Sequence, residues 1–232
     1  MFGITIVICS LDEWGKGEGN YKILSKDFPI IYVSPKKHKK VKNVIFIQDE
    51  SKGLAYARNL AINECKTEYI LFMDIDSTIM KVEDLQSLIV QLNYYNNINN
   101  WVGIALLTRI HNPSNYLNKC LNIRWEKRFY PGQRKVIGTP WIYYTKILKD
   151  FMFNENCSYS DDTFLADQIE SKGFKQGYSN IVCYEKESSL TDLKNRFIMY
   201  GISDYQYWRE NKDKWKLGRK IQSILHPIKC EW

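Results

Sequence analysis

The sequence predicts an α/β fold: a mixed, mainly parallel sheet flanked by helices, in a single domain with a C-terminal helical tail. Three observations lead there. Short apolar runs recur through the first hundred residues, segments of helical periodicity separate them, and the runs are continuously apolar instead of alternating. A strand covered by helices on both faces has no solvent side, so it loses the alternation that a half-exposed strand keeps. Strand and helix taken in turn give parallel neighbours.

Each element follows in order. Ile4–Ile8, Pro29–Val33, Asn43–Ile47 and Tyr69–Met73 are runs of about five residues rich in β-branched and aromatic side chains, and read as strands. Between the third and fourth, Leu54, Ala57, Ala61 and Cys65 fall on one helical face, with Ser51-Lys52-Gly53 as the entry turn. Val82, Leu85, Leu88, Ile89 and Leu92 mark a second helix, and the Asn-rich stretch 94–100 reads as a loop. Val102–Leu107 is a fifth strand. His111–Arg134, broken by Pro113, Pro131 and Gly132, is expected to be irregular with one short helix. Val136–Tyr144 returns to strand. Ser160-Asp161-Asp162-Thr163 opens a helix that closes at Gly173, and Ile181–Tyr184 is a last short strand. From Leu190 the chain is helical, aromatic and basic. The expected division is one domain over 1–204, with halves 1–107 and 108–204, and a tail over 205–232.

Composition bounds the function. The 232 residues carry 33 Lys and Arg against 26 Asp and Glu, a net charge of +7, and 44% are hydrophobic, which excludes wholesale disorder. No apolar run approaches the ~20 residues of a bilayer span. The N-terminus has no basic region or small-residue cleavage site, so it reads as a strand and not as a signal peptide. Six cysteines without a CxxC pair suit reduced thiols in a cytoplasmic protein.

Three features carry chemistry. Asp74 and Asp76 stand just past an apolar strand, at the end where open α/β sheets bind ligands. Two carboxylates beside a core strand are costly unless neutralised, and a divalent cation does so; alternatively one caps the turn and the other is solvated. Asp161 and Asp162 fall in a first helical turn. There they either complement the helix dipole or, each raising its neighbour's pKa, supply a general base. Lys52-Gly53 leads into Arg58-Asn59. These cations either pair with Glu50 and Glu64 or meet a phosphate or carboxylate of the site.

Taken in order, Gly53-x-Ala55-x-Ala57-Arg58-Asn59, Glu68–Asp76, Gly138-Thr139-Pro140 and Asp161-Asp162-Thr163-x-Leu165 with Gly173-Phe174 resemble family 2 glycosyltransferases of GT-A fold, over residues 4 to 200. The resemblance implies a nucleotide-diphospho-sugar donor, a carbohydrate or lipid-linked acceptor, and a divalent metal, manganese or magnesium, on Asp74 and Asp76. It implies Asp162 as the base of an inverting transfer, with Asp161 orienting the acceptor. Cys9, Ser10, Ser34, Lys52, Gly53, Arg58 and Ile75 join the two carboxylates on the donor side, and Trp141 is a candidate to stack on the acceptor sugar, with Trp125, Phe129 and Tyr130 as further candidates; a core or interface role suits these four rings at least as well. Three positions depart from the family pattern. Ser34 to Lys37 replaces an acidic turn, Gln168 replaces an Arg, and Cys183–Glu187 lacks a metal-binding His, leaving Glu185, water or no third ligand.

Two other readings compete. Asp74-Ile75-Asp76-Ser77-Thr78 also resembles the motif of haloacid-dehalogenase-like phosphatases, with Asp74 as nucleophile and Asp76 as general acid. Three strands preceding it argue against that. Alternatively, the basic run Lys36–Lys42 and the tail with Trp208, Arg209, Lys212, Lys214, Trp215, Lys216, Arg219, Lys220, Ile221 and Leu225 suit a binding module without catalysis. An anionic membrane surface fits that tail, peripheral to a cytoplasmic enzyme, and a helix packed on the domain or on a partner subunit fits it equally; nucleic acid fits it less well.

Overall fold

The computed structural model describes residues 3–17, 19–79, 81–156 and 161–212. Strands β1 (Ile4–Cys9), β2 (Ile30–Ser34), β3 (Val44–Gln48) and β4 (Tyr69–Phe72) form within a residue of the runs that predict them. A short helix α1 (Tyr21–Leu24) follows β1, and α2 (Leu54–Glu64) lies between β3 and β4. Beyond β4 come β5 (Thr78–Ile79), α3 (Val82–Asn99), β6 (Trp101–Ile110), α4 (Tyr116–Arg128), β7 (Gly132–Arg134), β8 (Trp141–Tyr144) and α5 (Thr145–Phe151). The chain ends its described part with α6 (Asp161–Ser171), β9 (Lys175–Glu185) and α7 (Leu190–Glu210).

The strands form one mixed sheet in the order β3-β2-β1-β4-β8-β6-β9-β5, with β7 paired to β9. β1, β2, β3, β4, β6 and β9 run one way; β5, β7 and β8 run against them. Alternate residues of each central strand feed two separate cores. Ile4, Ile6, Ile8 and Leu71 pack with Leu85, Leu88, Ile89 and Leu92 of α3. Val7, Ile31, Ile70 and Phe72 pack on the other face with Ala57, Ala61 and Ile62 of α2 and Leu165 and Ile169 of α6. Both faces are dry, which explains why the strand sequences do not alternate.

Some expectations need correction. The Asn-rich stretch is not a loop: α3 continues to Asn99. The Tyr95 ring stacks on Trp101 at 4.3 Å, Asn96 Nδ2 donates to the Trp101 carbonyl at 2.7 Å, and Asn100 ends the helix at φ +57°. These tertiary contacts outweigh the poor propensity of Asn. The strand expected from Val136 starts only at Trp141, because Pro140 has no N–H to give a ladder and the Gly138 N–H is taken by the Tyr178 hydroxyl at 2.9 Å. Residues 111–134 hold a full helix, α4, capped by the Asn115 side chain accepting from the Asn118 N–H at 2.9 Å. β9 is eleven residues, not four. It runs beside the ten residues of β6 through two register shifts, which let a strand with a polar opening stay paired. The helix α7 runs unbroken through 204/205, so the described part of the expected tail is the end of that helix. Ser160 and residues 213–232 lie outside the described residues, so the expected cap and the tail cations beyond Lys212 do too.

Close approach fixes Gly103, as it does Gly17, Gly19 and Gly177. Gly103 of β6 lies against the Tyr143 ring of β8, where any Cβ would collide with ring carbons. Gly103→Ala is therefore expected to cost about 1–3 kcal/mol through overpacking, read as a lower urea midpoint at unchanged slope.

Candidate active site

The carboxyl ends of β1 and β4 meet at one edge of the sheet. Val7 is paired with Phe72, so continuing the register by two residues puts Cys9 beside Asp74. Both line a small void with Arg58, Leu54 and Thr139. Asp74 is half-buried and accepts a hydrogen bond from Thr139 Oγ1 at 2.6 Å. Burial pushes its carboxyl above the usual range, against the pull of Thr139 and of the Arg58 charge. The next residues turn, with the Ser77 N–H donating to the Asp74 carbonyl, and enter β5. β5 pairs Thr78 with Tyr184 of β9, so the same ladder carried one step further sets Glu185 opposite Ser77. Glu185 is pushed up to about 8 by burial and by the nearby charges of Asp74 and Asp76. A strand pairing thus brings a third carboxylate to the D-x-D turn.

The donor set is all oxygen, the preference of hard divalent cations. Among the described residues no three His, Cys, Asp or Glu side chains come together so that they could hold a metal ion among them. Magnesium-type sites commonly use one or two carboxylates and take the remaining oxygens from phosphate and water. Asp74 and Asp76 fit that role, with Glu185 in electrostatic reach.

The second half of the site comes from α6. Asp161 is 3% exposed, and its Oδ2 accepts from Arg58 Nη1 at 2.5 Å. Its Oδ1 accepts the Asp162 N–H at 3.0 Å. Arg58 itself sits in an aromatic box, 5.6 Å from the Phe72 ring, 5.2 Å from Trp141 and 5.3 Å from Phe153. Burial works against its charge, but Asp161 first, with Asp74 and Asp162 behind it, holds it firmly protonated. The neighbouring Asn59 completes a clamp: its amide donates to the Phe153 carbonyl at 3.0 Å and to Glu155 at 2.8 Å, and accepts the Phe153 N–H at 2.8 Å. The Arg58-Asn59 pair on α2 thereby ties the donor edge to the segment leading into α6.

Asp162 differs from its neighbour. It is half-buried, has no cationic partner within ion-pair distance among the described residues, and accepts the Thr163 N–H at 2.6 Å and Thr163 Oγ1 at 3.2 Å. Burial and the Asp161 charge raise its carboxyl to about 6, with Arg58 and Thr163 opposing. Two adjacent carboxylates thus have separate environments: one neutralised by Arg58, the other raised toward neutrality.

Other expected site residues fall elsewhere. Trp141 is 1% exposed and packs among Phe72, Tyr143, Phe153 and Arg58, so neither ring face is open to a sugar. Trp125 is buried between α4 and α7; Tyr130 is exposed. Ser34 is fully buried and its hydroxyl is occupied, donating to the Asp12 carbonyl at 3.2 Å and accepting the Lys36 N–H at 3.2 Å. Ser10 accepts the Asp12 N–H at 3.0 Å. Together they shape the loop after β1. Cys9 is held as the neutral thiol, pushed by burial to about 12. Ile75 packs into the core while its carbonyl accepts the Gly19 N–H. Lys52 pairs with Glu50 at 2.7 Å and lies 5.0 Å over the Tyr56 ring, exposed to solvent. Gly53 begins α2 at φ +112°, a conformation that favours glycine. The sequence marks Thr139 only as part of the Gly138-Thr139-Pro140 segment, with no role of its own. Asp49, buried past β3, accepts the Ser51 N–H, and nothing local in the sequence marks it.

The profile of glycosyl transferase family 2 matches residues 33–152, ending before α6. Among solved structures, the chain is similar to the mannosyltransferase PcManGT from Pyrobaculum calidifontis in complex with GDP-Man and Mn2+, at 15% identity and a TM-score of 0.64, over 96% of this chain and 68% of that one. It is also similar to S. aureus TarS 1–349 in complex with UDP-GlcNAc, at 13% identity and a TM-score of 0.57, over 89% and 67%. A further S. aureus TarS structure matches at 14% identity and a TM-score of 0.55, over 81% of this chain but 37% of that one. The chain therefore spans little more than a third of that longer protein. At these identities the likeness is one of fold. No curated protein sequence is a match.

Proposed function

Because the chain belongs to glycosyltransferase family 2, we propose that it moves a sugar from a nucleotide-diphosphate donor to an acceptor hydroxyl with inversion, using Asp162 as general base. The observation that supports this best is the division of labour at α6. Asp161 is committed to Arg58, while Asp162 is half-buried and raised to about 6, near the pH at which a carboxylate can both be ionised and accept a proton. Asp162 takes the acceptor O–H proton as that oxygen bonds to the anomeric carbon. The bond from that carbon to the diphosphate oxygen breaks, and the electron pair leaves with the nucleoside diphosphate. Attack from the face opposite the leaving group inverts the centre.

Asp74 and Asp76 would hold a divalent cation, manganese or magnesium, with Glu185 or water beside them. Such a cation, when bound, supplies the positive charge that steadies the departing diphosphate. Asp74 is oriented for this by Thr139, and the loop of Ser10, Asp12 and Ser34 borders the donor side. The neighbours' ligands, GDP-Man with Mn2+ and UDP-GlcNAc, suggest the donor class. Family membership displaces the phosphatase alternative. A cytoplasmic location and the 1–204 and 205–232 division belong to the same proposal. Among the described residues no helix is long and apolar enough to cross a membrane.

Calorimetric titration with UDP and GDP, each with and without Mn2+, tests the donor reading. One nucleotide should bind only with metal, and Asp76→Ala should weaken that binding about 10–100-fold at unchanged thermal stability. Metal-independent binding, or unchanged binding by Asp76→Ala, would remove the cation from Asp74 and Asp76.

A further inference from the structure

The helix α7 has two faces of opposite construction. Its inward face buries Leu193, Ser203 and Tyr207. The Tyr207 hydroxyl donates to Asp167 of α6 at 2.6 Å, and its ring meets Phe164 edge-on at 4.9 Å. Leu193 joins Leu121 and Trp125 of α4. α7 is thereby fixed to the helix that carries Asp162.

The outward face is apolar where a surface helix is ordinarily polar. Leu190, Phe197, Ile198, Ile202 and Tyr205 are each between 45 and 73% exposed. At 3.6 residues per turn they lie within an arc of about 140°, opposite the buried positions. Lys194 and Arg209 fall inside that arc, and the nearest acid, the exposed Asp204, lies about 20° beyond its Phe197 edge. Asp192 is turned back to the Ser189 cap, and Glu210 accepts from Asn154 at 3.3 Å. The Arg124 guanidinium from α4 lies 5.7 Å over the Phe197 ring at the edge of the stripe. The sequence past the described residues continues basic, with Lys214, Lys216, Arg219, Lys220 and Lys229 against Asp213 and Glu231.

We infer that this outward face of α7 docks on an anionic lipid surface, and that the acceptor is carried on lipid. Exposed apolar side chains interleaved with cations, and free of acids, are complementary to acyl chains beneath negative headgroups. Charge disfavours a second copy as the occupant, since a self-complementary contact would gather Lys194 and Arg209 of both chains with only Asp204, at the edge of the stripe, to oppose them. The surface stands on the geometry of α7 alone. The acceptor clause rests on the reading of Asp162 as the acceptor-side base: docking through a helix bolted to α6 would hold that base beside the bilayer.

Flotation of the full chain with phosphatidylcholine vesicles, with and without phosphatidylglycerol, tests the surface. The chain should float with the anionic vesicles at low salt, and much less with phosphatidylcholine alone or at high salt. Ile198→Asp/Ile202→Asp should cut the bound fraction about tenfold while metal-dependent nucleotide binding persists. Lys194→Gln/Arg209→Gln, which leaves the packing face untouched, should lower it at unchanged circular dichroism. Absence of flotation overturns the inference. So does flotation that neither variant changes, which would assign docking to 213–232, and so does a dimer in light scattering that Ile198→Asp/Ile202→Asp dissolves without any flotation. Transfer of label from a nucleotide sugar into the organic phase of a membrane extract supports the lipid acceptor, and label confined to the aqueous phase overturns that clause. A chain that floats but binds no nucleotide would sink the donor reading and leave the surface standing.

Discussion

Asp162→Asn is expected to lower kcat by about 10²–10⁴ while leaving metal-dependent nucleotide binding within about twofold, because it removes a proton acceptor without touching the donor edge. The wild-type pH profile should carry the same signature. Only the ionised carboxylate can take the acceptor proton, and the Asp162 carboxyl stands at about 6, so kcat rises with pH through about 6 and levels above it. The charged and titratable groups facing Asp162 are Asp161 on its own helix, Arg58 from α2, Tyr143 from β8, Tyr178 from β9 and Tyr200 from α7. The tyrosines are all raised, so they stay neutral through this window. Stability moves the opposite way. A carboxyl whose folded pKa exceeds its unfolded value near 4 binds more protons when folded, so its contribution is fully present below about 4 and is lost as pH rises through about 6. Asp162→Asn should therefore be at least as stable as the wild type at pH 8, measured by urea unfolding. A residue whose loss removes turnover but not stability serves chemistry, not folding. Transfer that survives the substitution would move the base elsewhere.

What the sequence shows and hides follows from the range of the interactions. The strands β1 to β4 are legible because a strand buried on both faces writes itself as a contiguous apolar run, and α2 because its buried face repeats every turn. The position of Asp74 is legible for the same reason: the end of the β4 run marks the carboxyl edge of the sheet. Lys52 with Glu50 is a local pair, visible from spacing alone. Which carboxylate Arg58 meets is not visible, since Asp161 lies 103 residues away: local spacing offers Glu50 and Glu64, and the other reading only a phosphate or some carboxylate of the site. Trp141 misleads in the same manner. An indole beside a motif suits a sugar face equally well, and only the fold shows that α2 and the Phe153 segment close over it. The third carboxylate needs a strand pairing, β5 with β9, between a two-residue strand and one whose extent composition understates.

The ion pair between Arg58 and Asp161 carries the other large expected effect. Both side chains are buried, and each supplies the other's counter-charge. Arg58→Met leaves a carboxylate in an aromatic box with no counter-charge. It should destabilise the chain by about 3–5 kcal/mol at neutral pH, read by urea unfolding. Arg58→Lys should recover only part of this, because an ammonium cannot reproduce the planar stacking among Phe72, Trp141 and Phe153. The double variant Arg58→Met/Asp161→Leu should cost less than Arg58→Met alone, since it removes the unpaired charge together with its partner. That double variant also separates a positioning role from mere stability. The Asp161 charge raises the Asp162 carboxyl more than the Arg58 charge lowers it, so deleting both should move the rise of kcat to lower pH. It should also lower kcat more than it raises KM for the donor, because α6 loses its tie to α2 while Asp74 and Asp76 stay in place. A double variant with the wild-type pH midpoint and wild-type kcat would reduce the pair to a structural fastening, and Asp162 would then owe its environment to burial alone.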